Sequence, residues 1–157
     1  MATEISFTVY GTPAPQGSKF AVVRGGKPIV VDDNKPLLTT WRKAVENAAA
    51  LALHGTWDTQ YWDGPVGIEV QFIVARPNGH YRTGRNAHLL RDDAPRHPDR
   101  RPDLDKYVRA TLDALTAAKA IRDDSRVTDL HAVKSYARRE QPPGAFITIR
   151  EIWEQEP

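Results

Sequence analysis

From Val66 to Val74, apolar side chains occupy every second position: Val66, Ile68, Val70, Phe72 and Val74. That is the period of a β-strand with one buried face, and it follows the turn pair Gly64-Pro65. Glu4–Tyr10 alternates in the same way, with Ile5, Phe7 and Val9 set against polar neighbours. Lys19–Arg24 and residues 27–31 flank Gly25-Gly26, the signal for a two-residue hairpin. Between these and the first strand, Thr12-Pro13-Ala14-Pro15-Gln16-Gly17 reads as a turn or short loop.

The period then changes from two to between three and four. Thr39 or Thr40 is placed to cap a helix over residues 41–53, with Trp41, Val45, Ala48, Ala49 and Ala52 as a narrow, small-residue face. Residues 55–65 form a loop carrying Trp57, Tyr61 and Trp62, read as packing or interface residues, with stacking on unpaired bases as the alternative. A second helix starts at Leu104, because Leu104, Val108, Leu112, Leu115 and Ala118 recur at helical spacing. Pro102 restricts Arg101 to extended conformations, so the chain enters that helix from a loop or strand. Two more strands are expected, Val127–Tyr136 and residues 145–153. Gln141-Pro142-Pro143-Gly144 turns the chain between them, most simply as a hairpin. The order β, hairpin, α, β, long loop, α, β, β predicts an α+β fold, a mixed β-sheet with two main helices packed on it. Residues 1–157 form a single domain without internal repeat or linker, and the last four residues fray.

Composition narrows the class. At 157 residues, 40% hydrophobic and 27% charged, the chain has the make-up of one soluble globular domain. It contains no cysteine, which removes a disulfide framework and a thiolate zinc site. The amino terminus lacks the basic and apolar regions of a secretory signal, and no apolar run is long enough for a membrane span. A cytoplasmic location is expected.

The net charge of +2 hides an asymmetry: residues 76–101 hold seven arginines against three aspartates, while the remainder carries 15 basic and 17 acidic groups. This segment shows little periodicity, and loops of that length inside a compact domain are functional or disordered. Arg76, Arg82, Arg85, Arg91, Arg96, Arg100 and Arg101 suit forked binding of phosphate. The alternative is a flexible solvated arm. His80, His88 and His97 lack the spacing of a zinc motif and are read as loop or phosphate contacts. Gly17-Ser18-Lys19 lacks the full phosphate-loop pattern and a following helix. Lys19, at a turn, is either solvated or a DNA phosphate contact.

Directly after the basic segment come the aspartates. Asp103 and Asp105 stand at the start of the second helix, and Asp123-Asp124 stand just past its end. Asp105, Arg109 and Asp113 follow at intervals of four and share a polar face of the helix. If the strand after the helix folds back beside it, the two pairs of carboxylates approach each other. Like charges that close repel, and a divalent cation removes the cost; Mg²⁺ takes hard oxygen ligands with water and substrate phosphate. Each pair also has an ordinary reading. Asp103 or Asp105 suits an N-cap, and Asp123-Asp124 suits a solvated turn.

The run Pro102-Asp103-Leu104-Asp105-Lys106, then Arg109, then Leu112-Asp113-Ala114-Leu115, then Asp123-Asp124-Ser125-Arg126-Val127, resembles the signature of the RusA family of Holliday-junction resolvases. The similarity is strong over residues 101–133 and extends loosely to the Pro-rich turn at residues 12–19. It implies catalysis by Asp103, Asp105 and Asp124, which would hold Mg²⁺ (or Mn²⁺), with Asp123 a less certain fourth ligand. The family carries a lysine one helical turn after the second aspartate, where this chain has Arg109. Arginine keeps the charge but does not deprotonate, so it suits clamping a phosphate rather than acting as a base. Lys106 stands where many members have asparagine and adds a possible phosphate contact. The resemblance further implies a homodimer acting on branched, four-way DNA, with neither a small-molecule cofactor nor a membrane involved. DNA contacts are expected from Lys106, Arg101, Arg100, Arg76, Arg82, Arg85, Arg91 and Lys19. A non-catalytic DNA-binding module and a nuclease of other branched DNA remain as alternatives.

Overall fold

The computed structural model describes residues 4–17, 19–32, 35–54 and 62–152. Ser18, Trp57, Tyr61, Trp153 and the terminal tail therefore lie outside the described residues, as does the side chain of Lys19. Six strands and two helices follow in chain order: β1 Glu4–Tyr10, β2 Lys19–Arg24, β3 Lys27–Asp32, α1 Lys35–His54, β4 Val66–Val74, α2 Leu104–Ala117, β5 Val127–Tyr136 and β6 Gly144–Glu151. Four strands form a mixed sheet in the order β1-β6-β4-β5, and β2 and β3 pair as a separate hairpin. Gly25 and Gly26 both take positive φ at its tip, the backbone that a tight hairpin turn of this hand requires. The α+β class, with two helices packed on a mixed sheet, is as expected.

Three local expectations are corrected. First, α1 begins at Lys35 rather than at Trp41, so Thr39 and Thr40 lie inside it and donate their hydroxyls to the carbonyls of Lys35 and Pro36. Pro36 sits in the first turn, where its missing N–H has no helical partner to lose. Second, β5 and β6 are sequential but do not pair. β4 lies between them, parallel to β5 and antiparallel to β6. The Pro-rich turn is thus a crossing, and the parallel pair is joined through α2, as parallel strands must be joined by a long crossover. Third, the buried face of α2 is Tyr107, Ala110, Thr111, Ala114 and Leu115. Leu104, Val108 and Leu112 flank that face and are only half-buried. The helix is wedged against α1 as well as the sheet, so its buried stripe turns toward the groove between them.

The core is continuous through these layers. Ile5, Val9, Ile68, Phe72, Ile147 and Ile149 from the sheet meet Trp41, Val45 and Ala49 of α1 and the buried face of α2. Trp41 is the keystone. Its indole Nε1 donates to the Thr111 hydroxyl at 3.3 Å, and its ring stands 6.4 Å from that of Phe72.

Where β1 meets β6, Gly144 leaves no room for a side chain: an added Cβ would lie 2.0 Å from the Val9 carbonyl oxygen. At Gly67 the nearest obstruction is the guanidinium end of Arg150, which can move aside. Gly144→Ala should therefore lower unfolding free energy by about 1–3 kcal/mol through forced separation of two strands, and Gly67→Ala by clearly less. Urea denaturation of both variants measures the difference, and equal midpoints would contradict it.

Candidate active-site cleft

α2 starts where the chain leaves Pro102. Asp103 holds the N-cap position with extended backbone, and its carbonyl accepts from the N–H groups of Lys106 and Tyr107. Its side chain makes no capping hydrogen bond, so the ordinary role for an aspartate here is not used. The carboxylate instead lies 3.6 Å from Lys106 Nζ. Past the helix, Asp123 does play the ordinary role. Its carboxylate accepts from the Ser125 N–H at 3.0 Å and caps a 3-10 turn spanning Asp124–Arg126. Hydrogen bonding from Ser125 holds that carboxyl below the usual range.

Asp105 and Asp124 behave differently. Both are exposed, and they line one cleft with Arg109. The apolar floor of the cleft is Leu104, Val108 and Leu112 of α2 against Leu130 and Ala132 of β5. Among the described residues, none of Asp105, Arg109 and Asp124 is in an ion pair. The fold thus brings one carboxylate from before the helix and one from after it to a shared groove, with a guanidinium between them in sequence. The expected convergence of three is absent: among the described residues no three carboxylate or imidazole groups gather closely enough to hold an ion. Mutual repulsion gives the reason. Asp103 and Asp123 each satisfy their charge locally, through Lys106 and Ser125.

Asp113, expected on the same polar face as Asp105 and Arg109, has turned away. Four-residue steps drift by about 40° per step around a helix, so the third member of such a row faces a different neighbour. That neighbour is Arg42 of α1, whose Nη2 donates to Asp113 Oδ2 and to Gln16 Oε1. The Gln16 N–H in turn donates to the Lys106 carbonyl at 3.0 Å. Arg42 and Gln16 therefore tie the Pro-rich segment to α2 beside the cleft. Nothing in the spacing of residues 12–17 or of α1 signalled that brace.

The basic segment is ordered and partly self-satisfied. Arg76 lies over the Tyr136 ring at 4.2 Å and donates to the Pro95 carbonyl. Arg82 binds the Leu90 carbonyl and Asp92, and Arg91 binds Asp93 through both carboxylate oxygens. These three arginines shape the loop. Arg85, Arg96, Arg100 and Arg101 are exposed, and their side chains have no partner among the described residues. Lys134, which the sequence reading passed over, anchors the segment's end: its Nζ donates to the Arg100 and Pro102 carbonyls at 2.8 and 2.9 Å. It shares a face of β5 with Leu130, Ala132 and Tyr136, and a half-buried lysine in an apolar row was the available signal.

No described helix is long and apolar enough to cross a membrane. The family model for endodeoxyribonuclease RusA matches residues 11–150. An uncharacterized protein of Bacillus subtilis (strain 168), YqaN, is 30% identical over 151 residues, covering 94% of this chain and 96% of that protein.

Proposed function

The chain belongs to the RusA endodeoxyribonuclease family, and from that premise we propose that it resolves four-way DNA junctions by divalent-metal-dependent phosphodiester hydrolysis. The observation that carries the proposal is the cleft itself, where Asp105 and Asp124 stand with Arg109 and, among the described residues, none of the three is in an ion pair. One or two carboxylates with water and a substrate phosphate suffice for Mg²⁺, so this pair suits the ion's donor requirement. Asp103, two residues before Asp105 and uncommitted as a cap, is the natural third oxygen donor once Lys106 turns to phosphate. When bound, Mg²⁺ or Mn²⁺ would lower the pKa of a water and polarise the phosphate. The protein's own part is positional. Arg109 holds a non-bridging phosphate oxygen without itself taking or giving a proton, because its guanidinium stays charged.

Arg100 and Arg101, at the entrance to α2, bind the backbone to one side of the scissile phosphate, and Arg85 and Arg96 extend the same contact along a duplex arm. Arg76, Arg82 and Arg91 act indirectly by keeping the loop in shape. Two copies related by a two-fold axis would present one cleft to each of two opposed strands of a junction, which fits paired nicking by a homodimer. Selection then rests on the shape of the branch rather than on base reading.

The test is incubation of the purified protein with a synthetic four-way junction and Mg²⁺, mapping any nicks at nucleotide resolution. Symmetrical nicks that EDTA abolishes are expected, with junction binding retained in EDTA. Binding without cleavage of any branched substrate in Mg²⁺ or Mn²⁺ would establish the non-catalytic reading instead. Affinity should fall steeply with salt, and Arg101→Ala should reduce the slope of log K against log salt by about one. An unchanged slope removes Arg101 from the phosphate contacts.

A further inference from the structure

A second concavity, about 780 Å³ in volume, lies next to the acidic cleft, at the carboxyl ends of β4 and β5. We propose that it is a subsite for one unpaired nucleotide of the DNA, with the base inside and its phosphate at the mouth. The proposal rests on the nuclease reading above and names a feature of the substrate that reading leaves open. Cavities of this size hold small ligands with most of their surface buried.

Three features define what the cavity takes. Part of its wall is apolar, built by Val74, Pro95 and Pro98, and the charged groups beside it, Arg91 and Asp93, are paired with each other. Its floor includes Tyr107, which is only 4% exposed and packs its ring 5.3 Å from Phe72. The Tyr107 hydroxyl has no hydrogen-bond partner among the described residues although the residue lines an open cavity. Burial pushes this phenol's pKa up, so it remains a proton donor throughout the neutral range. At the mouth stand Arg100 and Arg101, whose guanidiniums are unpartnered among the described residues. Lys134 clamps their backbone to β5, so the mouth is fixed before anything binds.

These features exclude the simpler ligands. A bare phosphate would satisfy the arginines and leave the apolar wall and the phenol unmatched. A purely apolar ligand would leave the phenol and two cations unmatched. A flat heterocycle with acceptor atoms, carrying a phosphate, meets all three. The cavity lies further along the same face of β5 than the cleft: Leu130 and Ala132 line the cleft, and Lys134 and Tyr136, next on that face, line the cavity. Four residues of strand separate their centres by on the order of 13 Å. A DNA strand with its scissile phosphate at Asp105 therefore passes a nearby nucleotide across the mouth. Extruding a base costs least where it is already unpaired, as at a crossover.

The test uses the full-length protein at saturating concentration in EDTA, with four-way junctions carrying 2-aminopurine at successive positions around the mapped nick. One position should brighten several-fold on binding, because its base leaves the stack. Tyr107→Phe keeps the ring against Phe72 and removes only the hydroxyl, and should lose most of that brightening; Arg101→Ala should lose it too. A titration with free deoxyadenosine monophosphate separates the sources. Binding of the free nucleotide with no brightening at any junction position would assign the cavity to a mononucleotide and overturn the DNA subsite. Brightening that survives Tyr107→Phe at full strength would overturn it as well. A protein that binds no branched DNA would instead defeat the nuclease reading, and the subsite would fall with it.

Discussion

Asparagine at Asp105 is expected to yield a protein that still binds a four-way junction and no longer cuts it, with the single-turnover rate down about a thousand-fold. That loss corresponds to roughly 4 kcal/mol of transition-state stabilisation, the scale expected when a metal site loses an anionic oxygen. The substitution preserves size and shape and removes only the charge. Asp105 is exposed and, among the described residues, in no ion pair, so folding should not change. Asp113→Asn provides the control on the same helix. Its carboxylate is committed to Arg42, so that variant should lose stability and keep cutting while folded. Near-normal cleavage by the Asp105 variant in Mg²⁺ would remove this carboxylate from the chemistry.

Trp41→Ala should produce the largest loss of stability, about 3–5 kcal/mol, which is the usual cost of emptying a buried aromatic site. The side chain is 1% exposed and reaches Phe72 of β4 and Thr111 of α2. Its removal also orphans the buried Thr111 hydroxyl, which then lacks its indole donor. Trp41→Phe keeps most of the volume and should recover a large part of the loss. A urea series with unchanged slope and a shifted midpoint is the expected reading. A shift under 1 kcal/mol would mean that α1 is not a keystone of the fold.

Regular periods carried most of the elements. β1 and β4 alternate strictly because one face of each is buried, and the burial follows that alternation along Ile5, Phe7 and Val9 and along Ile68, Val70 and Phe72. The hairpin at Gly25-Gly26 was equally plain, since two adjacent glycines at positive φ suit few other structures. α1 was read too short because Thr39 and Thr40 resemble caps. The pairing of β5 was misread for a different reason. Adjacent strands usually pair, and nothing local announces that β4 will lie between β5 and β6.

The same division runs through the candidate site. Asp103, Asp105, Arg109, Asp123 and Asp124 could be singled out from residue type and spacing, and so could the excess of arginine upstream of them. Residue type and interval are local properties that the chain writes directly. Which carboxylates line the same cleft was decided only by tertiary structure. Asp105 and Asp124 share a cleft because β5 folds back parallel to β4, whereas Asp103 and Asp123 take partners within three residues of themselves. Arg42, Gln16, Tyr107 and Lys134 gain their roles from neighbours as far as 90 residues away along the chain, in the case of Gln16 and Lys106. No periodicity encodes such a contact, because it depends on how helices and strands stack once their apolar faces are buried.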